Sequence, residues 1–298
     1  MNLIQPSKNI SKAAVCGVVA GLALTSVHAE SLLLDFGPTA VAAPYLTLSP
    51  GHNAGTISGS ETSWNQISTS AQNSSLLWGN GSAASGLTLN LGQEATAGNN
   101  SIDFSTAISR VDLAGTGGSV AGQKSLLGAG SVYGDDTSST AVGRDGFFGG
   151  GSAGAGAAVG LRLDGLAAGD YFLYVMARNV NSDGTLIPMN IYATAAASSG
   201  TFDFSALTPH AQANTGFALT TYNDEYNSFQ NGENFVGLTI SVQEGQSLFL
   251  AVDGASVGDT RGFLNSFEIV QAPEPSVAAL FGMSFGALAW ILKKRRVD

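Results

Sequence analysis

Between residues 30 and 272 the chain alternates short apolar runs with clusters of Gly, Asn, Asp and Ser, and no long amphipathic helical pattern interrupts the series. Residues 31–36 (Ser-Leu-Leu-Leu-Asp-Phe) open it. Gly86-Leu-Thr-Leu-Asn-Leu91 alternates apolar with small or polar residues, the period-two signature of a half-buried strand. Further strand candidates are 108–113, 158–163, 171–178, 187–192, 202–204, 236–242, 247–252 and 263–270. The last three are separated by Gln243-Glu-Gly-Gln246 and by a loop over 253–262, both rich in turn formers. A parallel sheet needs a long crossover, usually a helix, for each strand pair, and none is present in this stretch. The pattern therefore predicts an all-β, antiparallel β-sandwich. No internal repeat of fixed period is visible in the sequence.

Composition narrows the chemistry. The one cysteine, Cys16, lies before this region, so disulfides, cysteine zinc sites, iron–sulfur clusters and thiol catalysis are excluded from it. Its two histidines, His52 and His210, are too few for a multi-histidine metal site. Residues 30–272 carry six basic and twenty acidic side chains, a net charge of −14. A surface of that sign repels nucleic acid and anionic lipid, so nucleic-acid binding is excluded as a role.

The two ends read as targeting segments. Lys8 and Lys12 precede an uncharged, mostly apolar run over 13–27, and Val27-His28-Ala29 provides a small-residue exit before Glu30. This is the pattern of a secretory signal peptide over 1–29, cut between Ala29 and Glu30. At the other end Pro273-Glu274-Pro275 is followed by 17 uncharged residues, 276–292, and then by Lys293, Lys294, Arg295 and Arg296. As a helix that run is about 26 Å long, just short of a hydrocarbon core of about 30 Å. Snorkelling of the basic stems relieves the mismatch and holds the end on the cytoplasmic side.

A Pro-Glu-Pro triplet, a short apolar helix and a terminal basic cluster, in that order, resemble the PEP-CTERM tail of exosortase substrates. The resemblance covers only residues 273–298. It implies export, a transient single-pass membrane intermediate and removal of the tail by an exosortase, with signal peptidase acting at the other end. The body, 30–272, would then reach the cell surface or the extracellular matrix.

A second resemblance concerns the body. The opening Leu32-Leu-Leu-Asp-Phe-Gly37 with Trp64-Asn65 after it, the central Gly165-Leu-Ala-Ala-Gly-Asp-Tyr-Phe-Leu-Tyr-Val175 and the closing Gly262-Phe-Leu-Asn-Ser-Phe-Glu-Ile-Val270 resemble the first, middle and last strands of jelly-roll, galactose-binding-like or malectin-like domains. This implies one jelly-roll-like domain flanked by a signal helix and a C-terminal transmembrane helix.

Several motifs bear on chemistry. Gly149-Gly-Gly-Ser-Ala-Gly154 satisfies the dinucleotide spacing G-x-G-x-x-G, but without the strand–turn–helix that spacing serves, so it reads as a surface loop. The same stretch places Ser152 in G-x-S-x-G, the nucleophile elbow of many hydrolases. His210 would be its base, with Asp164, Asp170, Asp183 or Asp203 to orient it. The acid pairs Asp135-Asp136 and Asp224-Glu225 are turn acids by default, and together with Asp253 and Asp259 they are candidate oxygen ligands for calcium, although no loop has EF-hand spacing. Trp64, Asn65, Trp78 and Tyr222 are the candidate glycan-binding residues, because an aromatic ring can stack on the apolar face of a sugar; core packing is the competing role for each Trp. The expectation is a non-enzymatic module contacting polysaccharide or surface matrix, without an obligatory cofactor. An extracellular glycan or ester hydrolase and a purely structural protein are the alternatives.

Overall fold

The computed structural model describes residues 31–37, 63–68, 72–108, 110–112, 123–124, 132–134, 146–150, 157–177, 188–212, 235–254 and 260–272. Both terminal segments, with the signal helix, the Pro-Glu-Pro triplet and the basic cluster expected there, lie outside them. Every regular element among the described residues is a strand. Among the described residues no helix is long and apolar enough to cross a membrane.

The strands in chain order are β1 (Ser31–Phe36), β2 (Trp64–Ile67), β3 (Thr88–Glu94), β4 (Ser101–Asp103), β5 (Arg110–Asp112), β6 (Gln123–Lys124), β7 (Val132–Gly134), β8 (Gly146–Phe148) and β9 (Val159–Asp164). They continue as β10 (Gly169–Met176), β11 (Met189–Ala197), β12 (Thr201–Asp203), β13 (His210–Gln212), β14 (Val236–Val242), β15 (Gln246–Gly254), β16 (Phe263–Leu264) and β17 (Ser266–Gln271). A five-stranded sheet has the order β14-β10-β17-β1-β2, and a seven-stranded sheet the order β12-β4-β3-β9-β15-β11-β13. A three-stranded sheet, β16-β8-β5, and the β6-β7 pair are smaller.

Period-two alternation explains how the two large sheets face each other. Leu32, Leu34 and Phe36 of β1, Leu173 and Val175 of β10, and Phe267 and Ile269 of β17 share one buried cluster with Leu89, Leu91, Leu161, Leu163, Leu248, Leu250 and Val252 of the other sheet. Each such side chain contributes about 1.5–3 kcal/mol on full burial, and this shared layer holds the sandwich together in the absence of disulfides.

One pairing departs from the antiparallel expectation. β1 and β2 run parallel, with Leu33 opposite Trp64 and Phe36 opposite Ile67. A two-residue hairpin cannot join parallel neighbours, and here residues 37–63 separate the two strands. The expected single strand over 263–270 is also divided. β16 pairs with β8 in the small sheet, whereas β17 pairs with β1 and β10 in the five-stranded sheet. The chain changes sheets at the fully buried Asn265, whose N–H donates to the Met176 carbonyl and whose carbonyl accepts from Phe36.

The outer face of the seven-stranded sheet is covered as well. Phe202, Phe204, Phe249, Ile102, Ala158 and Ala251 form a second buried cluster. Over this face β4 and β12 pair with Ile102 opposite Phe202. Two matching sequences meet there, Ser101-Ile-Asp-Phe-Ser105 and Thr201-Phe-Asp-Phe-Ser205. They are related by a local two-fold: Phe104 N–H donates to Gly200 O at 3.0 Å, and Phe204 N–H donates to Asn100 O at 2.9 Å. Asp103 and Asp203 each accept the N–H of the serine two residues on, at 2.8 and 2.9 Å. The ribbon sits this close because Gly92 and Gly160 oppose one another beneath it. A Cβ on Gly92 would lie 2.5 Å from Asp103 O, and one on Gly160 would lie 2.9 Å from a methylene of Ile102.

Candidate functional site

β2 is the edge strand of the five-stranded sheet, and an unpaired edge needs its backbone groups satisfied. From this edge the side chain of Asn65 reaches the backbone of β1 on one side and of the segment after Leu76 on the other. Its Nδ2 donates to Leu33 O at 3.0 Å and to Leu77 O at 2.7 Å, while its Oδ1 accepts the Leu77 N–H at 2.7 Å. The segment 72–77 is thereby held alongside β2. Its start is tied to β3 by reciprocal bonds between Asn73 and Leu89, at 2.9 and 2.8 Å. Its end runs into a tight turn in which Trp78 N–H donates to Ser82 O and Asn80 Oδ1 accepts the Ser82 N–H, both at 2.8 Å.

Between β2 and this arm lies a cleft of about 370 Å³, lined by Trp64, Asn65, Gln66 and Ile67 on one side and by residues 72–77 (Gln-Asn-Ser-Ser-Leu-Leu) on the other. The volume is within the range of small-ligand sites, about 300–1,000 Å³. Amides and hydroxyls dominate the lining, and no lining side chain is ionisable. Leu77 is 41% exposed and supplies an apolar surface at the rim. An aliphatic contact beside several neutral donors and acceptors is chemistry that a sugar ring, with its C–H faces and hydroxyl edges, can use.

The candidate glycan residues take different places. Trp64 borders the cleft but is only 2% exposed, so its ring offers no stacking face. Asn65 borders it too, with both amide donors and its oxygen engaged in holding the arm. Trp78 is half-buried and packs against the main core. Tyr222 lies outside the described residues. Gln72, Ser74, Ser75 and Leu77 carry no sequence signal, because Gln-Asn-Ser-Ser reads as a linker.

The residues of the hydrolase motif are only partly described. Ser152 itself lies outside the described residues; β8 ends at Phe148 and β9 begins at Val159 on either side of it. The absent side chain of Gly149 serves chain packing, since a Cβ there would lie 2.1 Å from Ala157 O. His210 is exposed at the edge strand β13. Asp164 accepts from Asn90, Arg162, Ser198 and Ser247. Asp170 accepts from Ser241, Asp203 closes its own turn, and Asp183 lies outside the described residues.

For calcium, Asp253 lies on β15 near Glu94. Burial, with the Glu94 charge adding to it, pushes the Asp253 carboxyl up to about 6. Glu94 is 3% exposed, and its oxygens accept the N–H groups of Gly98, Asn100 and Ala158. Among the described residues no group of three His, Cys, Asp or Glu side chains could hold a metal ion. Asp259, the acid pair 135–136 and the pair 224–225 lie outside them, so the described residues alone do not make a calcium site.

The described residues thus form an all-β sandwich of two large sheets, with a neutral polar cleft at one edge. No family model and no curated protein matches the chain. Similar solved structures include an isomalto-dextranase of Arthrobacter globiformis T6 complexed with panose, at 14% identity and TM-score 0.26, where 61% of this chain matches 23% of that one. The CBM35 from Cellvibrio japonicus Abf62 is similar at 16% identity and TM-score 0.26, over 62% of this chain and 94% of that one. A Xyl-CBM35 in complex with a glucuronic-acid-containing disaccharide is similar at 15% identity and TM-score 0.26, over 61% and 94%.

Proposed function

We propose that this chain is an exported, non-enzymatic surface or matrix protein whose sandwich contacts glycan through the cleft between β2 and residues 72–77. The observation that supports it most is the composition of that cleft: neutral amides and hydroxyls on a hydrogen-bonded frame, with the exposed Leu77 at the rim. A pre-organised set of this kind limits the ordering cost of binding. Export rests on the sequence of the two ends: a signal peptide cut between Ala29 and Glu30, and a Pro273-Glu274-Pro275 tail with a membrane segment and basic stop, which resembles the substrates of exosortases. A glycan array with the full-length protein, repeated with Leu77→Ser and Gln72→Ala, tests the reading. Binding weakened by both changes supports it; binding absent from every glycan, or indifferent to both changes, contradicts it.

A further inference from the structure

Resting on that reading, we infer that the cleft selects uncharged hexopyranose glycans and excludes uronic-acid and other anionic sugars. Recognition of a carboxylated sugar is strongest where a fixed cation answers the carboxylate, bidentately from Arg or as a point charge from Lys. Among the described residues that line it, the cleft has neither. Its polar lining consists of Asn65, Gln66, Gln72, Asn73, Ser74 and Ser75. The sequence around it is equally bare of cations, for no Lys or Arg occurs between Lys12 and Arg110.

The background field has the opposite sign. Residues 30–272 carry a net charge of −14, and the residue opposite Gln66 on β1 is itself an acid, the buried Asp35. An anionic ring entering the cleft would lose hydration of its carboxylate and gain only neutral donors, with no cation to offset the loss, against a repelling field. A neutral ring loses only hydroxyl hydration, which amides and hydroxyls replace. Selectivity here comes from penalising the wrong ligand, not from an added contact to the right one.

The test is titration of the full-length protein with neutral hexopyranose oligosaccharides and with hexuronate oligosaccharides of the same length, in the presence of a chelator so that no divalent cation bridges the charges. The expected result is binding of neutral sugars at least about tenfold tighter than of uronates. The neutral Kd should change by less than about twofold between low and high salt. The variant Gln72→Lys, at an exposed position, should narrow the gap by strengthening uronate binding. Uronates binding as tightly as neutral sugars to the unaltered protein would overturn the selectivity while leaving glycan binding intact. Binding of neither class would overturn the glycan reading and the selectivity with it.

Discussion

The side-chain amide of Asn65 meets Leu77 as a neighbouring strand would, accepting its N–H at 2.7 Å and donating to its carbonyl at 2.7 Å. A third bond, to Leu33 O at 3.0 Å, anchors the same amide to β1. One side chain thus ties Leu77 of the arm to β1 across the edge strand β2. Asn65→Ala leaves these backbone groups without their partner. A loss of about 2 kcal/mol in urea unfolding is expected, together with loss of glycan binding. Asn65→Asp keeps the acceptor but sets a carboxylate oxygen against the Leu33 and Leu77 carbonyls, so near neutral pH it should destabilise at least as much as Asn65→Ala.

The glycine pair under the β4–β12 ribbon gives a second prediction. Gly160→Ala would place a Cβ 2.4 Å from Leu250 O and 2.9 Å from Ile102, and neither contact can be relieved without moving backbone or the buried Ile102. Destabilisation of about 2 kcal/mol or more in chemical denaturation is expected. A substitution Ala193→Gly on the opposite, core-facing side of the sheet should be felt without displacing the ribbon.

Much of the sandwich is legible in the sequence, and the exceptions have physical causes. Residues 31–36 and 236–242 read as strands with the bounds the structure has, and 247–252 lies within β15. Those segments have clear alternation or long apolar runs. β2, β4, β6, β7, β8 and β13 are two to four residues long, too short for a period to show. The division of 263–270 falls at the buried Asn265, which in the sequence looks like an ordinary polar break. The matched Asp103 and Asp203 turns stand one hundred positions apart and have no fixed period, so only their pairing in space reveals them. At the candidate site Trp64 and Asn65 are recognisable from sequence, but their roles are not: burial withdraws the indole, and a strand-like pairing occupies the amide. The remaining lining of the cleft becomes visible only when Asn65 folds residues 72–77 against β2.

Acidification should act in two directions. The folded-state pKa of Asp253 is about 6, above its ordinary value of 3.8, so the folded protein binds its proton more tightly than the unfolded chain does. Stability therefore rises as pH falls through about 6 towards 4. With solvent screening allowed for, the gain is on the order of 1 kcal/mol. Asp103 and Asp203 are shifted the other way, chiefly by the hydroxyls and N–H groups of Ser105 and Ser205, so their contribution is present above the ordinary carboxylate range and is lost as pH falls through their lowered values. Asp253→Asn should raise the melting temperature at pH about 7 and leave it nearly unchanged at pH about 4. A stabilisation that persists undiminished at the lower pH would show that charge on Asp253 is not the cause.

The export account has its own measurement. Intact-mass analysis of the exported protein should show loss of residues 1–29 and of the segment following Pro273-Glu274-Pro275. Recovery of the basic Lys293–Lys294–Arg295–Arg296 end in the mature surface form would contradict exosortase processing.

The cleft itself is tested most directly by amide chemical shifts of the isotopically labelled protein during titration with a neutral hexopyranose oligosaccharide. The account predicts saturable shifts concentrated on Gln66, Gln72, Ser74, Ser75 and Leu77, lost in Leu77→Ser. Saturable shifts centred instead on another surface, such as the 38% exposed Phe172 on the outer face of the five-stranded sheet, or no shifts for any neutral glycan, would contradict it.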